Sequence, residues 1–382
     1  MKFDIGIAGI SKYHEEVTGD TTEVIRNKDA IIIIFSDGLG SGIKASILSI
    51  LTVKIAAGLL RRNISLEQVF ATIADTLPTC KVRNLAYATL TILKIKDNGA
   101  AHLIEYDNPN LIVLNNDAVI PLERRRRRIA GKEVQEAFFQ VQIGDLLLLN
   151  SDGVINAGVG GIYKLGLGPA GLLENLRSRS ILTEAVEVLA AKIAELAECC
   201  YLCKPGDDST AVVIKTREER QAILLTGPPS DPELDATVVN RFLERNDAQK
   251  IICGGASGNL VARLTGRKLK ASLKYENPSV PPIATMEGID LVTEGVLTLN
   301  KCLEQLEEYQ VGKKLNRGAD GASLLSNILL KADRLVFLVG TAFNPAHVEI
   351  MRSLQLKTRF EAVERIKAIL TRLGKEISME IY

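Results

Sequence analysis

Four short strings carry the residues that could do chemistry: Gly19-Asp20, Ser36-Asp37-Gly38, Ser151-Asp152-Gly153 and Gly206-Asp207-Asp208-Ser209-Thr210. Asp37 closes Ala30–Ser36, a continuous apolar run that reads as a strand buried on both faces. A carboxylate at the end of such a strand is costly without a partner. Asp152 closes a second buried run, Asp145–Asn150, with the same Ser-Asp-Gly triplet. Taken singly, each acid is most simply a turn cap or a surface charge. Taken together, Asp20, Asp37, Asp152 and Asp207 make an all-oxygen set, which selects a hard cation such as Mg²⁺ or Mn²⁺. Several carboxylates cannot ionise side by side without that compensation. Two such ions can share one carboxylate and one hydroxide, clamp a phosphoryl oxygen and support in-line displacement, which is phosphate-ester hydrolysis without a protein nucleophile. The three His, at positions 14, 102 and 347, are scattered, and no GxSxG nucleophile motif occurs.

The surrounding elements must bring these acids together. Phe3–Ser11 and Thr21–Arg26 read as strands, with a turn over Glu15–Asp20. Asn27-Lys28-Asp29 is turn chemistry, so Thr21–Arg26 and Ala30–Ser36 form a hairpin whose antiparallel pairing sets Asp20 beside Asp37. After Gly38–Gly42 the pattern is helical, with Ile43, Ile47, Ile50, Leu51, Ile55 and Leu59 expected to face a sheet. Small Gly42 and Ala45 stand where that helix leaves the strand. A second helix is capped by Ser65 and runs to about Thr76. Ala86–Lys94, Ala100–Glu105, Leu111–Asn115 and Val134–Val141 then read as an antiparallel meander. Val154–Gly168, rich in glycine, is expected to be a mobile flap beside the site. Helices are expected at Pro169–Arg177 and Thr183–Glu198, and Ala211–Ile214 is a final strand. Asp207 precedes that strand, and in an antiparallel sheet a strand's start can lie beside its neighbour's end.

Composition narrows the function classes. At 382 residues the chain predicts two domains. A net charge of +1 gives no bulk electrostatic reason to bind nucleic acid or an anionic membrane. The absence of Trp removes the stacking platforms of single-strand binders. The N-terminus has no signal-peptide core, and no apolar run approaches bilayer length, so a membrane is not expected. Six irregularly spread Cys fit neither a disulfide framework nor paired metal knuckles, and point to a reducing cytoplasm.

Two local features have competing explanations. The run Arg124–Arg128 could be a phosphate or acidic-partner patch, and a solvated edge strand that blocks aggregation is the preferred reading. Cys199, Cys200 and Cys203 could bind a soft metal or respond to redox. Without a fourth ligand nearby they read as buried cysteines.

The second half begins after a charged linker, Thr216–Arg220. Strands at Ala222–Leu225, Lys250–Cys253 and Asp333–Gly340 and helices at Glu233–Glu244, Leu260–Leu264 and Arg359–Leu373 describe an α/β layered domain over residues 221–382. A strand, a small-residue turn and a helix N-terminus occur twice there, at Gly227–Pro232 and at Gly254–Asn259. This geometry can bind an anion on free backbone N–H groups. Neither turn matches a nucleotide-binding fingerprint, and tight structural turns explain them equally well.

Residues 1–216, through Gly19-Asp20, Ser36-Asp37-Gly38-Leu39-Gly40-Ser41-Gly42 with Ala45, Ser151-Asp152-Gly153 and Gly206-Asp207-Asp208-Ser209-Thr210, resemble the metal-dependent protein phosphatase (PPM) family, in its bacterial SpoIIE-like serine phosphatase branch. The resemblance implies an α+β fold: an N-terminal αββα sandwich of two antiparallel sheets flanked by helices, followed here by the α/β domain. It implies two Mn²⁺ or Mg²⁺ ions, bridged by Asp37, with a ligand from the Gly38 carbonyl. Asp152 and Asp207 would hold the second ion, and Asp20 would act at the first, directly or through water. Asp208 would support the ligands. The substrate implied is a phosphoserine or phosphothreonine protein in a bacterial signalling pathway. A dimer is compatible with the sequence. The phosphate-binding Arg that eukaryotic members place near the first acid has no counterpart in Ser11–Asp20. No sensor segment precedes the catalytic domain, so regulatory input is expected from the C-terminal half or from partners. The competing expectations are a pseudophosphatase that binds a partner without hydrolysis, which loss of an acid would favour, and a chain led by a small-molecule-sensing C-terminal domain.

Overall fold

The computed structural model describes every residue except 28, 77–78, 81–84, 87, 272–281, 314, 316–317 and 343–355. Lys28 of the expected hairpin turn, residue 87 of the expected Ala86–Lys94 strand and His347 lie outside the described residues. The chain forms two compact units, Met1–Glu218 and Glu219–Tyr382. The first contains strands β1 (Lys2–Ile10), β2 (Asp20–Arg26), β3 (Ala30–Asp37), β4 (Thr79–Cys80), β5 (Leu85–Ala86), β6 (Leu90–Lys96), β7 (Ala100–Tyr106), β8 (Ile112–Asn115), β9 (Ala118–Ile120), β10 (Arg125–Ile129), β11 (Lys132–Gln140), β12 (Leu146–Asn150) and β13 (Ser209–Arg217). Its helices are α1 (Gly42–Leu60), α2 (Leu66–Thr76), α3 (Asp152–Ile155), α4 (Gly168–Ser178) and α5 (Val186–Cys200).

Two antiparallel sheets result, ordered β10-β11-β7-β6-β3-β2 and β1-β13-β12-β8-β9. The period-2 alternation of β3 shows how they layer. Ile31, Ile33 and Phe35 enter the cluster shared with Leu147, Leu149, Val212 and Ile214 of the other sheet. Ile32 and Ile34 point the opposite way, into the cluster with Val53 and Leu60 of α1 and Phe70 of α2. Leu146 and Leu148 likewise meet Leu172 and Leu176 of α4 and Leu189 and Ile193 of α5. The layers are therefore helix, sheet, sheet, helix, the sandwich the sequence predicts.

Several readings need correction. The first half of the apolar stripe of α1 does not face the sheet: Ile43, Ile47, Ile50 and Leu51 are exposed, and Gly42, Ala45, Ser49, Thr52, Val53, Ala56, Ala57 and Leu60 are buried, while Ile55 and Leu59 pack, part-buried, against the core as expected. A Cβ on Gly38 would stand 2.0 Å from the Ala45 carbonyl oxygen. The helix thus runs too close to the strand for bulky side chains near the site, and small residues take the inner face. Because apolar residues surround α1, this helix of 19 residues is long and apolar enough to cross a bilayer, contrary to the expectation from run length. In the fold its inner face packs on β2 and β3.

The cysteine string also splits. Cys200 is buried, whereas Cys199 and Cys203 are exposed, because α5 ends there and turns only one side of its last turn inward. Finally, Thr216 and Arg217 belong to β13 rather than to a linker, and Thr216 is buried. The arginine run divides by function. Arg124 pairs with buried Glu105 at 2.8 Å, and Arg127 bridges Glu136 at 2.8 Å and Glu67 at 3.0 Å. Arg125 and Arg126 stay exposed on the edge strand β10.

The second unit holds β14 (Gln221–Thr226), β15 (Ala248–Cys253), β16 (Lys270–Ala271), β17 (Ala284–Met286), β18 (Ile289–Thr293), β19 (Arg334–Val339) and β20 (Glu376–Ile381). Its helices are α6 (Asp235–Leu243), α7 (Gly255–Thr265), α8 (Val296–Gln310), α9 (Gly321–Lys331) and α10 (Arg359–Arg372). The sheet order is β16-β17-β18-β15-β14-β19-β20, parallel from β18 through β20. Leu224, Ile251 and Phe337 pack on α8, α9 and α10. Ile223, Ile252 and Leu338 pack on α6 and α7 on the opposite face. The sheet is thus covered by helices on both sides, as continuous apolar strands require. Helix α7 begins at Gly255, not at Leu260 as the small-residue string suggests, so Gly255–Asn259 is its opening rather than a loop.

Candidate functional site

Backbone pairing alone brings the four acids to one end of the sandwich. In the β2–β3 hairpin Asp20 is the register partner of Asp37, and the Gly38 N–H donates to the Gly19 carbonyl at 3.1 Å. In the other sheet Asn150 of β12 pairs with Ala211 of β13. Asp152 follows the end of one strand and Asp207 precedes the start of its neighbour, so both leave the sheet at the same end of the paired strands. Side chains then lock the strings together. The Thr210 N–H donates to Ser151 Oγ at 2.8 Å, and Ser151 Oγ donates to the Asp208 carbonyl at 3.3 Å. Buried Asp208 accepts from the Lys12 N–H and the Gly19 N–H, each at 2.9 Å. It thereby ties the Gly-Asp-Asp-Ser-Thr string to the segment that leads into Asp20. Thr89 holds the end of β3, with its Oγ1 accepting from the Asp37 N–H at 2.8 Å and its carbonyl accepting from Ser36 Oγ at 2.6 Å.

The repeated glycine has a steric cause. A Cβ on Gly153 would fall 2.0 Å from the Asp208 carbonyl oxygen, as a Cβ on Gly38 would fall 2.0 Å from that of Ala45. In both Ser-Asp-Gly triplets the third residue lies against another segment's backbone, which fixes the acid before it.

The electrostatics are those of acids lacking a counter-charge. The Asp20 carboxyl is pushed up to about 7, first by burial and then by Asp208 and Asp152, although the Thr210 and Ser151 hydroxyls pull it down. Those hydroxyls stand near it without hydrogen-bond geometry, for both Asp20 carboxylate oxygens are buried and unpartnered. Asp37 is pushed up to about 9, by burial first and then by Asp20, Asp152, Asp207 and Asp208. Burial likewise raises Asp152, whose Oδ1 is also unpartnered, and burial followed by Asp152 raises Asp207. Among the described residues no three such side chains are drawn together at the spacing of a formed metal centre. The donor set fits a hard divalent ion: carboxylates only, with three buried oxygens that no protein donor satisfies.

Several neighbours carry no sequence signal. Lys12 brings the cationic field that lowers Asp207. The Tyr201 hydroxyl donates to the Gly153 carbonyl at 2.9 Å, and its phenol is pushed up to about 12 by burial first and then by Asp207 and Asp152. Glu15 accepts from Ser41 Oγ at 3.0 Å beside Gly42. Each reaches the site through pairing between distant segments, so no local spacing marks it. The segment after Asp152 buries Val154 and Ala157 and exposes Val159, Ile162 and Leu165 beyond its turns.

A family model for Stage II sporulation protein E (SpoIIE) matches residues 27–217, half of the chain. No curated protein matches. Among solved structures, the PP2C phosphatase domain with a fragment of the regulatory domain of SpoIIE from Bacillus subtilis is 19% identical, covers 56% of this chain and 63% of its own, and has a TM-score of 0.49. The RsbU and RsbW domains of a Mycobacterium tuberculosis protein are 16% identical over 63% of this chain and 67% of that one, with a TM-score of 0.48. RsbX in complex with magnesium is 19% identical over 56% of this chain and 94% of that one, with a TM-score of 0.39. The chain thus spans less than two thirds of the Bacillus subtilis fragment.

Proposed function

Because the chain belongs to the Stage II sporulation protein E (SpoIIE) family of PP2C-type phosphatases, we propose that it hydrolyses phosphoserine and phosphothreonine in a partner protein, at the carboxylate cluster of its first unit. The observation that carries this reading is the convergence of Asp20, Asp37, Asp152 and Asp207, with three buried carboxylate oxygens left without a donor. Asp20, Asp37, Asp152, Asp207 and the Gly38 carbonyl would hold two Mn²⁺ or Mg²⁺ ions. When bound, these supply a water of lowered pKa and a counter-charge for the phosphoryl oxygens.

The protein's own groups then have separate tasks. Asp208, with both carboxylate oxygens taken by N–H donors, positions Asp20 and Asp207 rather than competing for a ligand. Thr89 and the tight contacts of Gly38 and Gly153 keep the acids from moving apart under their mutual repulsion. Lys12, whose positive charge lowers Asp207 against the rise from burial, would help to draw in the phosphate dianion that the acids would otherwise repel. Water replaces the seryl or threonyl oxygen at phosphorus, and that oxygen leaves with a proton. We place the reaction in the cytoplasm, a compartment that suits the unpaired, exposed Cys199 and Cys203.

The test is hydrolysis of a chromogenic phosphate ester with Mn²⁺, with Mg²⁺ and with EDTA, followed by phosphoserine, phosphothreonine and phosphotyrosine peptides. Turnover should require the metal, be lost in Asp37→Ala and favour the first two peptides. Turnover in EDTA, or an unaffected Asp37→Ala, sinks the mechanism, and equal turnover of the phosphotyrosine peptide sinks the substrate assignment.

A further inference from the structure

The second unit carries a cavity of about 760 Å³, within the usual range for small-molecule sites. In chain order its parallel strands β14, β15, β18, β19 and β20 stand in the sheet as 3-2-1-4-5, so the winding reverses at β14. Doubly wound sheets take ligands beyond the carboxyl ends of the strands at that reversal. The cavity lies there: Gly227 follows β14, Ser257 follows β15, Glu294 follows β18 and Gly340 follows β19.

Three observations say what it would hold. First, α7 opens into the cavity with a bare N-terminus. Its N-cap is Gly254, at a φ of 135° reserved for glycine, and no side chain caps it. A Cβ on Gly255 would meet nothing within 4 Å. Second, Ser257 is fully buried in the cavity wall, yet its Oγ has no hydrogen-bond partner. An orphaned buried hydroxyl is costly unless a ligand completes it. Third, Arg359 reaches the same cavity and forms no ion pair with a described carboxylate. Its Nη1 donates only to the Gly340 carbonyl at 2.9 Å and the Ala342 carbonyl at 3.4 Å, and burial lowers its pKa. Helix N–H groups, a hydroxyl and a half-buried guanidinium offer more donors than one carboxylate can accept, and a phosphate oxyanion can use them all.

The rest of the wall is not anionic-ligand chemistry. Glu294 caps α8 with one carboxylate oxygen, accepting from the Leu297 N–H at 3.2 Å, so the other can accept from a hydroxyl. Phe360 lines the cavity with its ring part-exposed. We propose that this cavity binds a nucleotide: phosphate on the α7 N-terminus, Ser257 and Arg359, ribose hydroxyls on Glu294, and the base against Phe360. This site is separate from the carboxylate cluster and does not depend on the phosphatase reading.

The test is calorimetric titration of ADP into the full-length chain in EDTA, which removes any metal-bridged phosphate binding at the carboxylates. Saturable binding is expected, weakened about tenfold or more by Ser257→Ala and by Gly255→Asp, as loss of a charge-assisted hydrogen bond or insertion of a like charge would do. Ser257→Ala removes a hydroxyl without a protein partner, so its ligand-free melting temperature should match the parent. Should Gly255→Asp fail to fold, Ser257→Ala decides. Adenosine and pyrophosphate should each bind about tenfold more weakly than ADP or worse. No saturation by ADP up to about 5 mM overturns the proposal. Pyrophosphate binding as tightly as ADP overturns the nucleotide assignment, and ADP affinity unchanged in the variants overturns the location.

Discussion

At one end of the first unit, four carboxylates are held at strand ends with three of their oxygens buried and unpartnered. At the carboxyl ends of the second unit's strands, a bare helix N-terminus, an orphaned serine hydroxyl and an arginine that pairs with no described carboxylate face a cavity. Both are strand-end sites with unsatisfied polar groups, and they have opposite sign. The acids repel one another, so their supports must be rigid: Gly38 and Gly153 lie against neighbouring backbone with no room for a methyl group. The donors at α7 carry only partial charges that do not push one another apart, and Gly255 opens onto free space. A site for a cation made of full charges is packed shut around its ligands, whereas a site for an anion made of backbone dipoles can stay open.

The largest expected effect comes from neutralising one acid. Asp37→Asn should lower metal-dependent hydrolysis by about 10³-fold, the equivalent of several kcal/mol of lost charge stabilisation. The same change should raise the melting temperature of the metal-free chain, because an amide stays neutral beside Asp20, Asp152, Asp207 and Asp208 without the proton uptake that burial and these acids force on the Asp37 carboxyl. ADP titration in EDTA should not change. A metal-free melting temperature that falls in Asp37→Asn would show that the acid is not strained, and the contrast between the two sites would lose its basis.

The difference in sign also governs what could be read from the chain. The carboxylate site is written in side-chain types, and the hairpin that pairs Asp20 with Asp37 follows from one turn and two apolar runs. The second site is made largely of main-chain N–H groups, and Gly254–Asn259 looks the same whether it binds or merely turns. Only the convergence of Ser257, Glu294 and Arg359 from segments far apart in sequence separates those cases, and no spacing encodes it. The misassigned face of α1 has a related cause. Periodicity reports where apolar residues recur, but not how close the helix axis comes to the sheet. That closeness, set by the Gly38–Ala45 contact, sends Ile43, Ile47 and Ile50 outward.

The glycines test the packing half of the contrast. Gly38→Ala and Gly153→Ala each place a methyl group 2.0 Å from a carbonyl oxygen. Relief requires backbone movement, which costs about 1–3 kcal/mol and should be measured as a lower urea midpoint. Gly255→Ala meets nothing within 4 Å and replaces glycine by a better helix former, so its midpoint should stay within about 1 kcal/mol of the parent or rise. Equal destabilisation by all three would erase the distinction between a closed and an open site.

The effect that probes sign most directly is the pH dependence of the metal-free chain. Asp20 and Asp37 ordinarily titrate at 3.8, and the fold raises them to about 7 and about 9. Between those values the folded chain keeps protons that the unfolded chain has released. Stability is therefore complete below 3.8 and is lost as pH rises through the folded values. In EDTA the melting temperature should fall steadily from pH 5 to pH 9, and saturating Mg²⁺ or Mn²⁺ should flatten the slope by favouring the ionised, folded form. ADP affinity should stay level above about pH 7, where its phosphate is fully ionised. Ser257 does not titrate there, and the Arg359 guanidinium keeps its proton although burial lowers its pKa. A metal-free chain that gains stability over this range would mean that the acids already have partners, and the unsatisfied oxygens of Asp20 and Asp152 would then not be reserved for a cation.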